Sequence, residues 1–190
     1  MKCVVFTRPD GNISIVHPVQ GFLRELQNGF IDSERVNNLC SWMNRPDQTV
    51  TEKYKRDMKF KLSTTGLTED EALDFIRRRD VPVDATAVQI VDKESLPKDR
   101  YFRNTWRQAA GKVFVDMNLA KEQRMKEIRT ERDKRLKDSD GPFMRAMERE
   151  EGANDLKAMR QALRDIPQNT DLSAINTPDE LKAFKPEWPN

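Results

Sequence analysis

Residues 118–138 read NLAKEQRMKEIRTERDKRLKD. The stretch has no proline or glycine and consists of strong helix formers, so it specifies one continuous helix. Its apolar positions are few, chiefly Leu119, Met125, Ile128 and Leu136, and so narrow a stripe cannot wall a deep core. Residues 121–138 carry eight basic and five acidic side chains mixed by sign, the pattern of a solvated helix more than of a phosphate track. A charge-laced arm of this kind decides the fold reading, because a globular body must then be sought before it and a partner face after it.

Downstream, Ser139-Asp140-Gly141-Pro142 predicts a break. Phe143, Met144 and Met147 begin a second helical stretch, which Gly152 interrupts. Leu156, Met159, Leu163 and Ile166 follow at helical spacing as one seam, and Pro167 is expected to end it. Residues 118–167 therefore predict a long charged helical hairpin. Residues 168–190 predict an extended tail with a short helix opening at Thr177-Pro178-Asp179-Glu180, where a proline stands just inside an N-cap.

Upstream, residues 1–117 read as a small α+β body of β-hairpins and short helices. Residues 3–7 and 12–17 are β-branched, apolar runs around Arg8-Pro9-Asp10-Gly11, a hairpin signal. Residues 20–30 suggest a short helix, and Asp32 or Ser33 can cap another that carries Val36, Leu39, Cys40 and Met43 on one face. Residues 53–62 alternate, with Tyr54, Met58, Phe60 and Leu62 on one side and lysines on the other, which predicts a half-buried strand. Gly66 stops it. Thr68-Glu69-Asp70-Glu71 is a capping box for a helix to about Arg79, and residues 86–91 predict a further strand. A second hairpin is expected from Tyr101–Arg107 and Lys112–Met117 across Ala109-Ala110-Gly111.

Of the 190 residues, 36% are hydrophobic and 35% charged, with a mean hydropathy of −0.84. Globular domains usually reach about 45–50% apolar, so one modest core with solvated helices is expected, and not two large domains. Lys and Arg number 34 against 32 Asp and Glu, a net charge of +2 that argues against a dedicated nucleic-acid coat. No run of 18 apolar residues occurs and the start has no signal-peptide core, so a soluble protein without membrane contact is expected. Cys3 and Cys40 are too few for a disulfide framework, and a bridge between them is left open.

Chemistry is sparsely signalled. His17 is the only histidine, with no cysteine or serine assignable to it, and reads as a structural or surface residue. Phosphate-loop, dinucleotide, zinc-protease and nucleophile-elbow motifs are absent, so no enzyme, metal or cofactor is expected. Arg77, Arg78 and Arg79, with Phe75 adjacent for stacking, form the main basic motif. The favoured reading is that they end a helix that began with acids and so complement its dipole. Lys53, Lys55, Lys59 and Lys61 form a second basic set on one strand face, where lysines equally protect an edge. Nucleic-acid binding through these two sets is the minority reading.

Two stretches carry a family resemblance. Val81-Pro82-Val83-Asp84-Ala85, Gln89-Ile90-Val91-Asp92, Leu96-Pro97, Asp99-Arg100 and Phe102-Arg103-Asn104-Thr105-Trp106 resemble a block in small tailed-bacteriophage proteins associated with tail genes. Arg132-Asp133 with Leu136, Phe143-Met144-Arg145, the string Arg160-Gln161-Ala162-Leu163-Arg164-Asp165-Ile166-Pro167 and the closing Trp188-Pro189 are similar to the C-terminal module of phage tail-assembly chaperone and tail-fibre-assembly proteins. The resemblance implies a non-enzymatic role in building or decorating a tail. It implies phage tail or tail-fibre proteins as partners, with self-association left open, and a place in the virion after assembly in the host cytoplasm. A transient assembly chaperone absent from the virion is the alternative. The expected anchors, or the core that presents them, are Trp106, Phe143, Leu163, Ile166, Phe184 and Trp188.

Overall fold

A computed structural model describes residues 1–30, 32–149 and 151–189. The chain forms two compact units, one of Met1–Lys98 with Trp106–Phe114 and the other of Asp99–Thr105 with Val115–Asn190. The class is α+β, as the sequence predicts.

In the N-terminal unit, β1 (Lys2–Thr7) and β2 (Ile13–Val16) form the expected antiparallel hairpin, with Val4 opposite Val16 and Phe6 opposite Ser14. The turn closes through Arg8 N–H to Asn12 O at 2.8 Å and Asn12 N–H to the Asp10 carboxylate at 2.9 Å. The strand expected over 86–91 is β3 (Thr86–Asp92), which joins the other edge of β1 in the sheet order β2-β1-β3. A second ribbon pairs β4 (Trp106–Ala109) with β5 (Lys112–Val115). Its turn residues Ala110 and Gly111 have φ of +47° and +77°, the two positive values a tight hairpin turn needs. The ribbon is shorter than predicted: Arg103–Thr105 is a 3₁₀ turn, and Asp116 stops β5 by capping the next helix.

The helices α1 (Gln20–Asn28), α2 (Ser33–Leu39), α3 (Glu52–Ser63) and α4 (Glu69–Asp80) enclose the unit's main core. Leu26, Val36, Trp42, Met58, Leu62 and Phe75 are buried there, and Trp42 meets the Phe75 ring edge-on at 5.5 Å. Both cysteines are buried and free, so no bridge joins them.

The strand expected over 53–62 is instead α3. Thr51 caps it by accepting from Tyr54 N–H at 3.2 Å, and the lysines, arginine and glutamate of the stretch are helix formers. Tyr54, Met58 and Leu62 recur every four residues as well as alternating, so both periods fit them. Phe60 separates the readings: a strand would turn it inward, whereas it is 66% exposed.

Gly66 ends α3's turn with φ +74°, and a Cβ there would lie 1.8 Å from the Gln27 carbonyl oxygen. Two backbones therefore run in contact. Leu67 N–H bonds Leu26 O at 2.9 Å and Phe30 N–H bonds Leu62 O at 2.6 Å.

In the C-terminal unit, α5 (Met117–Asp138) is the long charged helix that residues 118–138 predict. Asp116 caps it, its carboxylate accepting from Asn118 and Leu119 N–H at 2.9 and 3.2 Å. The expected break at 139–142 contracts to Ser139, because α6 (Asp140–Arg149) takes Pro142 into its first turn, where no helical donor is needed. Residues 153–169 form α7 (Ala153–Asn169), which runs through Pro167 although the proline was expected to end it. So near the C-terminus a proline removes one backbone bond, and the buried Leu163 and Ile166 keep the last turn in register. The predicted short helix is α8 (Pro178–Ala183), capped by Thr177.

Candidate protein-binding interface

Of the seam expected from Leu156 to Ile166, Met159, Leu163 and Ile166 pack α7 on α5. Ile128, Leu163 and Ile166 form its buried centre, with Leu136, Met159, Phe184 and Trp188 packed against it. An adjoining cluster buries Phe102, Ala120, Leu172 and Leu181, and Phe184 touches this one too. The tail therefore supplies the apolar cover that the sparse stripe of α5 cannot.

Polar contacts fix that cover in place. Lys182 pairs with Asp99 at 2.5 Å, Lys121 donates to Ser173 O at 2.9 Å, and Arg124 donates to Phe184 O at 2.5 Å. Arg124 also reaches Glu127 at 2.9 Å and the Tyr101 hydroxyl at 3.2 Å, while that hydroxyl donates to Glu127 at 2.5 Å. Burial raises the Tyr101 pKa, and its bond to Glu127 adds to the rise. Burial also penalises the Glu127 carboxylate, yet bonds from Tyr101, Gln123 and Arg124 outweigh it and hold the group below its ordinary range. The bond from Lys182 is the main cause that holds Asp99 down.

Four of the expected anchors thus come together. Leu163 and Ile166 are buried, and Phe184 and Trp188 half-cover them. Beside Ile166 and the tail lies an open groove of about 900 Å³ that Phe184 and Trp188 also line. Phe143 is elsewhere, half-buried on α6 with the Arg160 guanidinium 5.1 Å from its ring centre. Trp106 belongs to the N-terminal unit, where it opens β4 and is buried.

Two features escaped the sequence reading. Arg160 donates to Leu136 O at 2.9 Å and Ser139 Oγ at 2.5 Å and pairs with Asp140 at 2.8 Å, so one side chain joins the end of α5, the start of α6 and α7. Its position one residue beyond Met159, on the rim of the seam, was the only signal. Met144 and Met147 are 59% and 44% exposed, and α6 buries none of its residues.

Of the two basic sets, the arginines stand in the last turn of α4, which opens with acids, as the favoured reading expects, and the lysines are placed differently. Arg77 and Arg78 both hold Asp74, at 2.9 and 2.8 Å, and Arg79 holds Asp80 at 2.9 Å. Arg78 lies over the Tyr54 ring at 4.7 Å and Arg79 over Phe22 at 4.6 Å. Phe75 is fully buried, so it offers no stacking face. Because residues 52–63 are helical, Lys53, Lys55, Lys59 and Lys61 spread around α3. Lys55 pairs with Glu52 at 2.8 Å, Lys59 donates to Asn37 at 3.0 Å, and Lys61 pairs with Glu71. His17 is exposed just after β2. Among the described residues no group of three or more His, Cys, Asp or Glu is placed to hold a metal ion, and no helix is long and apolar enough to cross a membrane.

The fold and this site define a small two-unit α+β protein whose C-terminal unit is a tail-covered helical module in which α6 leaves Met144 and Met147 exposed. The family model described as phage tail assembly chaperone protein matches residues 125–190, from the middle of α5 through the tail. No curated protein and no solved structure matches the chain.

Proposed function

We propose that the protein is a non-enzymatic factor in building a bacteriophage tail, which docks on a tail or tail-fibre protein through its C-terminal unit. One observation carries this reading: the family match coincides with the unit in which α6 buries nothing and leaves Met144 and Met147 in solvent. An apolar helix face kept on a well-covered module is surface available to a partner. The N-terminal unit is a second, separate body. Nucleic acid is not the partner in this reading, since Arg77, Arg78 and Arg79 each hold a carboxylate of their own unit and the net charge is +2.

In this role the protein is made in the host cytoplasm and joins the tail as a virion component; the alternative is a chaperone released before completion. Loss of the gene should stop tail formation while heads still fill, and the intact gene in trans should restore it. Mass spectrometry of purified particles beside assembly intermediates separates the two forms. Fixed stoichiometry in the particle marks a component, and presence only in intermediates marks a released chaperone. Normal tails without the gene would overturn the reading.

A further inference from the structure

The groove between α6 and α7, of about 440 Å³, is lined among the described residues by Phe143, Lys157, Ala158, Arg160, Gln161 and Arg164, none of them a carboxylate. Lys157, Arg160 and Arg164 stand at i, i+3 and i+7 of α7, so they form one stripe along the groove. Of the α7 carboxylates, Asp155 falls on the opposite face by the same periodicity, and Asp165 flanks the stripe beside Gln161, whose Nε2 donates to it at 2.9 Å. Arg160 is neutralised by Asp140, whereas Lys157 and Arg164 are exposed and pair with no described residue. The opposite wall is Phe143, and Met144 and Met147 continue the apolar surface along exposed α6. Asp140 is the acidic residue of α6 that shares this face by helical spacing, and Arg160 pairs with it at 2.8 Å; Glu148 falls beyond Met144, away from Phe143.

We infer that this groove docks an acidic, amphipathic helical segment of the tail protein, its apolar stripe on Phe143, Met144 and Met147 and its carboxylates on Lys157 and Arg164. The inference rests on the docking role proposed above and names the chemistry of the partner. Charge complementarity selects the occupant. Cations with no partner among the described residues call for anions on one wall, and methionines, which adapt to varied side chains, call for an apolar stripe beside them. A phosphate backbone would satisfy the cations but leave the methionines in water. A second copy of this chain would have to supply an acidic apolar helix face. The acidic start of α4 is engaged within its own unit, where Lys2 pairs with Asp70 at 2.9 Å and Lys61 holds Glu71. Arg160, pinned to Leu136 O and Ser139 Oγ, fixes the spacing of the walls before the partner arrives.

The test places a photo-cross-linking residue in the full chain, Met147→p-benzoylphenylalanine, in infected cells lacking the native gene. Phe60→p-benzoylphenylalanine, exposed in the N-terminal unit, is run in parallel. The expected product at position 147 is a carboxylate-rich tail-protein segment with apolar residues at helical spacing, and it should vanish in the Lys157→Glu, Arg164→Glu background. A synthetic peptide of that segment should then bind the intact protein about tenfold or more weaker after the double reversal, and weaken with added salt. Both sites are exposed, so a thermal melt of the double variant should match the native one. A neutral or basic segment, a second copy of this chain, or nucleic acid cross-linked at 147 overturns the inference. Cross-linking of a tail protein from position 60 and not from 147 overturns it and moves the docking surface to the N-terminal unit, while leaving the role in tail building intact. No tail protein from either position overturns both.

Discussion

The Arg135 guanidinium lies over the Trp188 indole, 4.6 Å from the ring centre, and Trp188 in turn packs on Ile128, Leu163 and Ile166. A residue close to the end of the described chain is thus part of the core cover of its unit. The exposed apolar surface is left on α6.

Trp188→Ala should therefore destabilise the C-terminal unit by about 1–3 kcal/mol, less than loss of a fully buried tryptophan because the side chain is half-exposed. Arg135→Ala should cost about 0.5–1 kcal/mol, and the double variant less than the sum of the two. Denaturant melts followed by circular dichroism measure all three. Removing residues 168–190 should expose Leu163 and Ile166, raise binding of a hydrophobic dye and leave the N-terminal unit folded. Unchanged stability of Trp188→Ala would mean that the tail does not cover the seam in solution.

Gly66→Ala should be among the most damaging single substitutions in the N-terminal unit. The new methyl would fall 1.8 Å from Gln27 O and 2.4 Å from its carbonyl carbon, both backbone atoms, at a φ of +74°. Neither obstacle can rotate away. Destabilisation of at least about 2 kcal/mol is expected, with the Leu67 to Leu26 backbone bond the first to lose protection in hydrogen exchange. Gly11→Ala makes the control. It shares the positive φ, but nothing lies within 4 Å of its added methyl, so only the conformational cost remains.

Acid should weaken the same unit through Asp74. Burial raises this carboxyl's pKa, but bonds from Arg78 and Arg77 outweigh burial and leave it below the ordinary value of 3.8. In the unfolded chain the group takes up its proton near the ordinary value, so the unfolded state binds more protons as pH falls below it. The stabilisation is present in full above the ordinary range and is lost progressively as pH drops through the folded value. Glu71, lowered chiefly by its bond from Lys61, acts in the same direction. Asp74→Asn should be less stable at neutral pH and lose stability less steeply below pH 4; parallel pH curves for the two proteins would refute this.

Much of this architecture could be read from local chemistry. The Pro-Asp-Gly hairpin, the Thr68–Glu71 capping box and the unbroken helix after Asp116 are each dictated by residues a few positions apart, and the structure contains all three. The reading failed where two periods fitted one pattern. Tyr54, Met58 and Leu62 satisfy a strand and a helix alike, and helix propensity with a Thr51 cap decided between them. It also failed where tertiary burial overrode a local stop, as at Pro167. For the candidate site, the apolar residues of the seam were legible because they repeat, whereas their cover by Phe184 and Trp188 joins segments that no periodicity connects. The role of Arg160 was hidden for the same reason, its partners lying 21 and 24 residues away.

Arg160 ties three helices of the C-terminal unit together. Its side chain is only 13% exposed and contacts Leu136 O, Ser139 Oγ, Asp140 and the Phe143 ring, groups that span the junction of α5 and α6. Arg160→Ala removes the guanidinium from all four at once. Ser139 Oγ keeps its own bond to Leu136 O at 2.6 Å, so the junction is loosened and not stripped of every contact. A loss of about 1–3 kcal/mol follows for a buried, charge-assisted donor. It should be local: amide exchange in α6 should accelerate, while α8 and its Lys182–Asp99 pair, held by other residues, should keep their protection. The three polar contacts all run through Arg160 Nη1, and Arg160→Lys can keep a cation there but not the planar guanidinium over Phe143, so it should recover only part of the protection. Asp140→Asn tests the ion pair alone and should have the smallest effect, because that carboxylate is 59% exposed. Uniform acceleration across α5, α6, α7 and α8 in Arg160→Ala would refute a local tie and make Arg160 a general core residue of the unit.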